Sequence, residues 1–365
     1  MTADQAWYIS TGHLPGSPQV QDLVAEAYET YLHEDHGQVS RVYPALAAMP
    51  PGLFGICVAG VGGRLYQAGD ADREFTIMSV AKPFTFALIC DALGAERARQ
   101  RLGTNATGLP FDSLAAVERT ADGRTNPMVN AGALATVSLV PGRTAEDQWR
   151  FIAEGLSRFA GRDLRIDLET YESATATNHR NRAIAWLLES RGAIDGDPAQ
   201  ALDLYTRQSC LAVTATDLAV MGATLADGGV NPVTGARVTG TAACASTLAV
   251  MATAGMYETS GDWLYDTGVP GKSGIGGGIV AVSPGKGGLG TFAPPLDPAG
   301  NSVRGQLAAR FLSRRLGLTL FASDPADQTQ TATSAVPRVT PPPARHPPDN
   351  SNKREARQAH GGRGG

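Results

Sequence analysis

The chain predicts an α+β fold, an antiparallel sheet flanked by helices with an all-helical subdomain inserted between its strands. Three observations predict it. Leu53 to Ala59 and Arg64 to Ala68 are short β-type runs separated by Val61-Gly-Gly, which is a hairpin signal. Ile279 to Ser283 and Gly288 to Phe292 read as a second pair of strands joined by a turn, followed by a helix over Asn301 to Leu316, apolar at Val303, Leu307, Ala308 and Leu312. Between the two pairs, from Glu96 onward, helical spacing and long polar loops dominate. The sheet-containing subdomain is therefore expected over 1–95 and 240–321 and the helical one over 96–239. Residues 322–365 are rich in Pro, Thr, Gln, Asp and Arg without periodic apolar positions, and a disordered tail is expected there.

Taken in order, Gln19 to His33 carries Val20, Leu23, Val24, Ala27 and Tyr31 at helical spacing and predicts a surface helix. His33, Glu34, Asp35 and His36 follow; a solvated helix end is the expectation there, a metal cluster the alternative. After the first hairpin, Val80 to Leu93 is almost wholly apolar with Lys82 as its one cation, and a helix apolar on every side is a buried helix. Ser79 stands where an N-cap would, Pro83 is tolerated in the first turn, and Gly94 suits a left-handed stop. Asn126-Pro-Met-Val-Asn130-Ala-Gly-Ala opens a small-residue helix to Val140, with Asn130 either its cap or a ligand donor. Amphipathic helices follow over Thr144 to Gly161 and Asn178 to Leu188, with Asn181 near the start of the second. Further helices are expected over Leu202 to Leu211, which carries Tyr205, over Thr216 to Asp227, and over Thr241 to Ala254.

Composition narrows the function. Lys and Arg total 31 against 35 Asp and Glu, a net charge of -4, with no basic stripe before the tail, which argues against nucleic-acid binding. The start has neither a cationic nor an apolar signal-peptide region, and no apolar run reaches membrane-spanning length. Cys57, Cys90, Cys210 and Cys244 are scattered without metal spacing and read as buried thiols of a cytoplasmic protein. No metal or other cofactor is expected.

Ser79 and Lys82 are three residues apart, on one face of the buried helix and one turn from each other. Burial in apolar surroundings favours the neutral amine, and a neutral amine beside a hydroxyl is a base beside a nucleophile. A snorkelling structural lysine is the competing reading. Lysine occurs only at 82, 272, 286 and 353, while nearly every other cation is arginine, which cannot give up its proton. The second Ser-x-x-Lys, Ser283 to Lys286, lies among prolines and glycines with no helix start and is set aside. Lys272-Ser-Gly-Ile-Gly-Gly-Gly278 lacks the strand and helix of a phosphate loop and instead suits an edge strand whose bare backbone approaches a ligand. A Ser-x-x-Lys helix followed late in the chain by Lys-Ser-Gly is the pairing of penicillin-recognising serine enzymes.

From about Gln19 to Phe321 the chain resembles the serine-dependent glutaminases, which share the β-lactamase/DD-peptidase-like fold. The likeness rests on Ser79-Val-Ala-Lys82, the Asn126 to Ala133 block, Arg180-Asn181, Leu202-Asp-Leu-Tyr205, Asp217 to Ala226, Gly228-Gly-Val-Asn-Pro232, Gly255-Met-Tyr257, Gly271 to Gly278, and Pro294-Pro-Leu-Asp297 with Gly300 to Gly305. The resemblance implies hydrolysis of the side-chain amide of L-glutamine to L-glutamate and ammonia, without metal, in a homodimer or homotetramer. It implies Ser79 as nucleophile, Lys82 as the group that accepts its proton or tunes it, Tyr257 as a proton relay and the alternative base, and Asn130, Asn181 and Tyr205 as holders of the substrate's amino-acid end. The N–H of Ile275, with that of Ser79, would form the oxyanion hole. Two positions depart from the family pattern. Ala174 replaces the glutamate that pairs with the substrate ammonium, leaving Glu172 as the nearby substitute. Val42 replaces a pocket tyrosine, leaving Tyr43 as the stand-in. These departures leave open a same-fold serine amidase for another small amide, or an impaired homologue that binds a ligand or partner.

Overall fold

A computed structural model describes residues 12–323. The expected tail from Asp324 on lies outside the described residues. The central sheet has five strands, β1 (Gly55–Gly60), β2 (Leu65–Gly69), β3 (Gly271–Ser273), β4 (Gly278–Ser283) and β5 (Gly287–Phe292), in the order β2-β1-β5-β4-β3 and antiparallel throughout. The two hairpins read from the sequence thus join through β1 and β5, with Ile56 opposite Thr291 and Val58 opposite Leu289. Lys272 and Ser273, expected on an edge strand, form that edge.

Side chains alternate across a strand, so β1 sends Ile56 and Val58 to one face and Cys57 and Ala59 to the other. The first face is covered by helix α1 (Ser17–Tyr31) and the C-terminal helix Val303–Leu316, through Val20, Leu23, Val24, Ala308 and Leu312. The second is covered by the helix Ala215–Ala226, whose Ala219, Val220 and Ala223 meet Cys57 and Ala59. This helix belongs to the 96–239 stretch in sequence yet lies along the sheet. Its approach needs bare backbone: a Cβ on Gly290 would sit 2.0 Å from the Ala215 carbonyl oxygen, and one on Gly288 2.3 Å from that of Ala219.

The apolar run becomes helix α2 (Ala81–Leu93), and every residue from Ala81 to Cys90 is buried, as an all-round apolar helix requires. Gly94 ends it at φ 88°. Around it pack α3 (Asn130–Ser138), α4 (Ala145–Ala160) and the helix Thr241–Ala254. The helices α5 (Leu168–Thr177), α6 (His179–Ser190) and α7 (Pro198–Ser209) follow α4 in the chain. The helix α5 was not foreseen; Asp167 caps it by accepting from the Thr170 N–H, and the chain breaks at Asn178 before α6. All four cysteines are free and buried, and burial pushes the Cys57, Cys90 and Cys210 thiols up to about 12. No helix of the described residues is long and apolar enough to cross a membrane.

Candidate active site

Ser79 occupies the middle of a 3-10 turn, Met78–Val80, that runs directly into α2. It is not the N-cap that its position suggested. Ile77 and Val80 are already in right-handed helical geometry, so the chain enters α2 without an extended cap residue, and the serine side chain is left for the cavity. Met78 has φ 46° and Tyr257 φ 60°, the only non-glycine residues with positive φ among those described. Such backbone costs roughly 1–3 kcal/mol per residue and persists where the surroundings over-determine it. Here the two strained residues bracket Ser79: Met78 precedes it, and the Tyr257 phenol is near enough to the Ser79 hydroxyl for the serine to bear on its titration. Tyr205, whose Oη donates to Asn130 Oδ1, lines the same cavity as Ser79.

Lys82 is buried, and its Nζ donates to Asn130 Oδ1 at 2.6 Å and to the Met128 carbonyl at 3.4 Å. Both acceptors are neutral. Burial lowers its pKa from 10.5 to about 7, with only the more distant Asp112 carboxylate pulling upward. Asn130 is the hub of the site. Its Oδ1 accepts from Lys82 and, at 3.1 Å, from Tyr205 Oη, while its Nδ2 donates to Asn181 Oδ1 at 2.8 Å. The cap of α3 is Val129, so Asn130 is not the helix cap, and it lines the cavity instead. The glycine two residues on makes this possible: a Cβ on Gly132 would lie 1.8 Å from the Asn126 carbonyl oxygen, where the preceding loop folds back onto α3.

The edge strand closes the other side. Gly274 presses on the turn that carries Ser79, with a Cβ position 3.2 Å from the Ser79 backbone nitrogen, and Ile275 lines the cavity next to it. Tyr257 Oη donates to the Ser273 carbonyl at 2.9 Å, and burial holds its phenol proton far above the usual range. Sequence reasoning placed Lys272 on the strand and missed its side chain. That side chain is fully buried, donates to the same Ser273 carbonyl, and sets Nζ 4.0 Å from the centre of the Tyr257 ring. Burial, reinforced by the nearby Lys82, holds its pKa well below the lysine range. The scarcity of lysine was the available signal. By contrast, Ser283 and Lys286 bond the carbonyls of Leu318 and Gly317 at the far end of the C-terminal helix, away from the site.

A cavity of about 100 Å³ is lined by Ser79, Asn130, Asn181, Tyr205, Ile275 and by Tyr43, Asp112 and Arg180 among others. A larger one of about 720 Å³ adjoins it across Val42, Phe111 and Ile275. Of the residues expected at the site, Ser79, Asn130, Asn181, Tyr205 and Ile275 meet in the smaller cavity, with Lys82 bonded to Asn130 and the Tyr257 ring packed against Phe111 of its wall. Glu34, Asp35 and His36 gather at the surface, where His36 pairs with Glu34.

The glutaminase family model matches residues 37–321. The chain belongs to the glutaminase family. It is 63% identical to Glutaminase 2 of Yersinia pestis over 318 residues, 87% of this chain and 94% of that one. Among solved structures, the probable glutaminase ybaS superposes with a TM-score of 0.83 at 40% identity, covering 84% of this chain and all of the other. The covalent complex of Bacillus subtilis glutaminase YbgJ with 5-oxo-L-norleucine, formed from 6-diazo-5-oxo-L-norleucine, superposes with a TM-score of 0.74 at 29% identity, over 82% of this chain and 99% of that one. The fold is that of the β-lactamase-like glutaminases, an antiparallel sheet flanked by helices. This glutaminase departs from the expected substitutes at one of its two unusual positions. Ala174 is buried in a cluster with Tyr43 and Met78, while Glu172, two residues earlier on α5, is exposed and does not line the cavity. Two residues on a helix point about 200° apart, so one cannot replace the other. Tyr43 does reach the cavity, filling the space beside Ala174; Val42 lines it while half exposed.

Proposed function

We propose that the protein hydrolyses L-glutamine to L-glutamate and ammonia through an acyl-enzyme on Ser79. The observation that carries the reading is a buried lysine, its pKa lowered to about 7, one turn after a serine that lines the cavity. An amine titrating near the working pH is a suitable general base. Lys82 takes the Ser79 proton as Oγ bonds to the amide carbon, and the carbonyl electrons move onto oxygen. The N–H groups of Ser79 and Ile275 meet that oxyanion, stabilising charge that develops only in the transition state. The C–N bond then breaks, and the proton held by Lys82 passes to the leaving nitrogen by way of the Tyr257 phenol, which burial keeps protonated. Water gives one proton to Lys82 as its oxygen bonds to the ester carbon; the C–Oγ bond then breaks, the proton passes from Lys82 to Oγ, and glutamate leaves with the Ser79 hydroxyl restored. Asn130, Asn181 and Tyr205 hold the amino-acid end of the substrate.

The covalent adduct of the YbgJ relative supports a nucleophilic route. The homodimer or homotetramer belongs to the same proposal, with exposed Trp186 and Tyr265 as apolar surface that such an assembly would cover. The experiment is ammonia release from L-glutamine by the purified protein and by Ser79→Ala, alongside reaction of both with 6-diazo-5-oxo-L-norleucine. The wild type is expected to release ammonia and to gain the mass of one 5-oxo-norleucyl group, and the variant to do neither. Labelling that survives Ser79→Ala would remove the nucleophile from the mechanism.

A further inference from the structure

An amino acid bound in this small cavity brings its ammonium partly out of water, and a cation so placed without a countercharge is unfavourable. The residues that hold the amino-acid end in this site, Asn130, Asn181 and Tyr205, are all uncharged. Position 174 is alanine, Tyr43 fills the space beside it, and Glu172 faces solvent. The cavity lining contains one carboxylate, that of Asp112. The turn that carries it is fixed on both sides. The Asn130 N–H donates to the Phe111 carbonyl at 2.8 Å, and the Phe111 ring packs against Tyr257 with centroids 4.8 Å apart. Arg180 Nε donates to the Asp112 carbonyl at 2.9 Å and stands 3.6 Å from its carboxylate oxygen. The cavity wall therefore presents a negative and a positive group side by side, which is the arrangement complementary to a zwitterion.

From this juxtaposition we infer that Asp112 binds the substrate's α-ammonium and is the residue that makes the site selective for an amino acid over the same amide without the amine. Arg180 lies next to it for the α-carboxylate. The assignment rests on glutamine being the substrate, and it accounts for a glutaminase site with alanine at 174. Asp112 also reaches the chemistry: its charge is the one that acts on Lys82 across the cavity. The same carboxylate thus answers two needs, binding the ammonium and biasing the base.

The test compares L-glutamine with glutaramic acid, which keeps the chain, the carboxylate and the amide but lacks the α-amine. Ammonia release from both is measured for the wild type, Asp112→Asn, Asp112→Glu and Glu172→Gln. The wild type prefers glutamine. Asp112→Asn lowers kcat/KM for glutamine by roughly 10- to 100-fold, the loss of one partly exposed charge contact, and leaves glutaramic acid within a few-fold, so the preference collapses through KM. Asp112→Glu, which keeps the charge, retains the preference, and Glu172→Gln retains it in full. An unchanged preference in Asp112→Asn, or its collapse in Glu172→Gln, overturns the assignment. Should Asp112→Asn fail to fold, loss of the preference in the folded Asp112→Glu variant, with its charge intact, also overturns it. Failure of the wild type to release ammonia from glutamine is a separate outcome; it removes the proposed reaction itself, and the Asp112 assignment with it.

Discussion

Replacing Lys82 by methionine should destroy activity and stabilise the fold. In the proposed mechanism burial makes this amine reactive, and the same burial weakens the folded state. Burial lowers the Lys82 pKa from 10.5 to about 7. At about 1.4 kcal/mol per pH unit that shift corresponds to about 4–5 kcal/mol of lost stability at neutral pH. Methionine has a similar volume and no charge to desolvate. The variant gives up the bonds from Nζ to Asn130 Oδ1 and the Met128 carbonyl, worth about 1–3 kcal/mol, and Asn130 Oδ1 still accepts from Tyr205 Oη. The net expectation is a gain of about 2 kcal/mol at pH 7. The sign of the pH dependence follows from the depressed pKa. Below pH 7 the unfolded chain and the folded protein both carry the proton, and the full penalty is present. Between pH 7 and 10.5 the unfolded chain binds more protons, so wild-type stability rises with pH and the penalty fades. Urea unfolding of both proteins at pH 7 and pH 9.5 reads this directly. The advantage of the variant should be largest at pH 7 and should shrink or reverse at pH 9.5. A Lys82→Met protein that is less stable than the wild type at pH 7, or a difference that does not move with pH, would refute the reasoning.

Two further expectations follow from the same geometry. The rate with glutamine, as kcat/KM, should climb as pH passes through about 7, where Lys82 loses its proton; a flat profile from pH 6 to 8 in the absence of any titration of substrate would sink Lys82 as the base. Gly290→Ala should destabilise by roughly 2–4 kcal/mol, because its Cβ would stand 2.0 Å from the Ala215 oxygen and 2.7 Å from the Ala219 nitrogen, so the covering helix would have to move. Gly52→Ala, with open space around its Cβ position, is the control and should fall within about 0.5 kcal/mol of wild type in the same unfolding measurement.

The parts of this fold that the sequence makes legible are those where burial is one-sided or total. An unbroken apolar run can only be a buried helix, and Lys82 stands out within it. Alternating strands flanked by glycine turns announce the hairpins, though not that β1 would pair with β5. Other parts are silent for physical reasons. Helix α5 buries little besides Thr170 and Ala174, and its Leu168 is exposed, so no apolar stripe marks it. Without that helix the opposed directions of Glu172 and Ala174 cannot be read. Asp112 lies in a turn before a five-residue helix, Leu114–Glu118, where no periodicity applies, and only the fold carries it to the cavity. Lys272 was visible as a rare lysine, but the conformation of an edge strand does not tell which way its side chain finds room.

The two buried lysines at the site find neutral acceptors: Lys82 an amide oxygen and a peptide carbonyl, Lys272 a peptide carbonyl. A core lysine held for structure alone would gain most from a carboxylate, which restores much of what desolvation removes. A carboxylate at position 130 would do that here, and in doing so would hold the Lys82 proton in place and end its use as a base at neutral pH. Asparagine gives the amine a fixed direction without a countercharge. The second lysine adds repulsion where attraction would have been stabilising, since each ammonium disfavours the other. Together with the strained backbone at Met78 and Tyr257, these groups concentrate unfavourable free energy around one hydroxyl. The apolar packing of α2 and its neighbours offsets that cost, which fits the proposed reactive residues sitting at the mouth of a buried helix rather than on a surface loop.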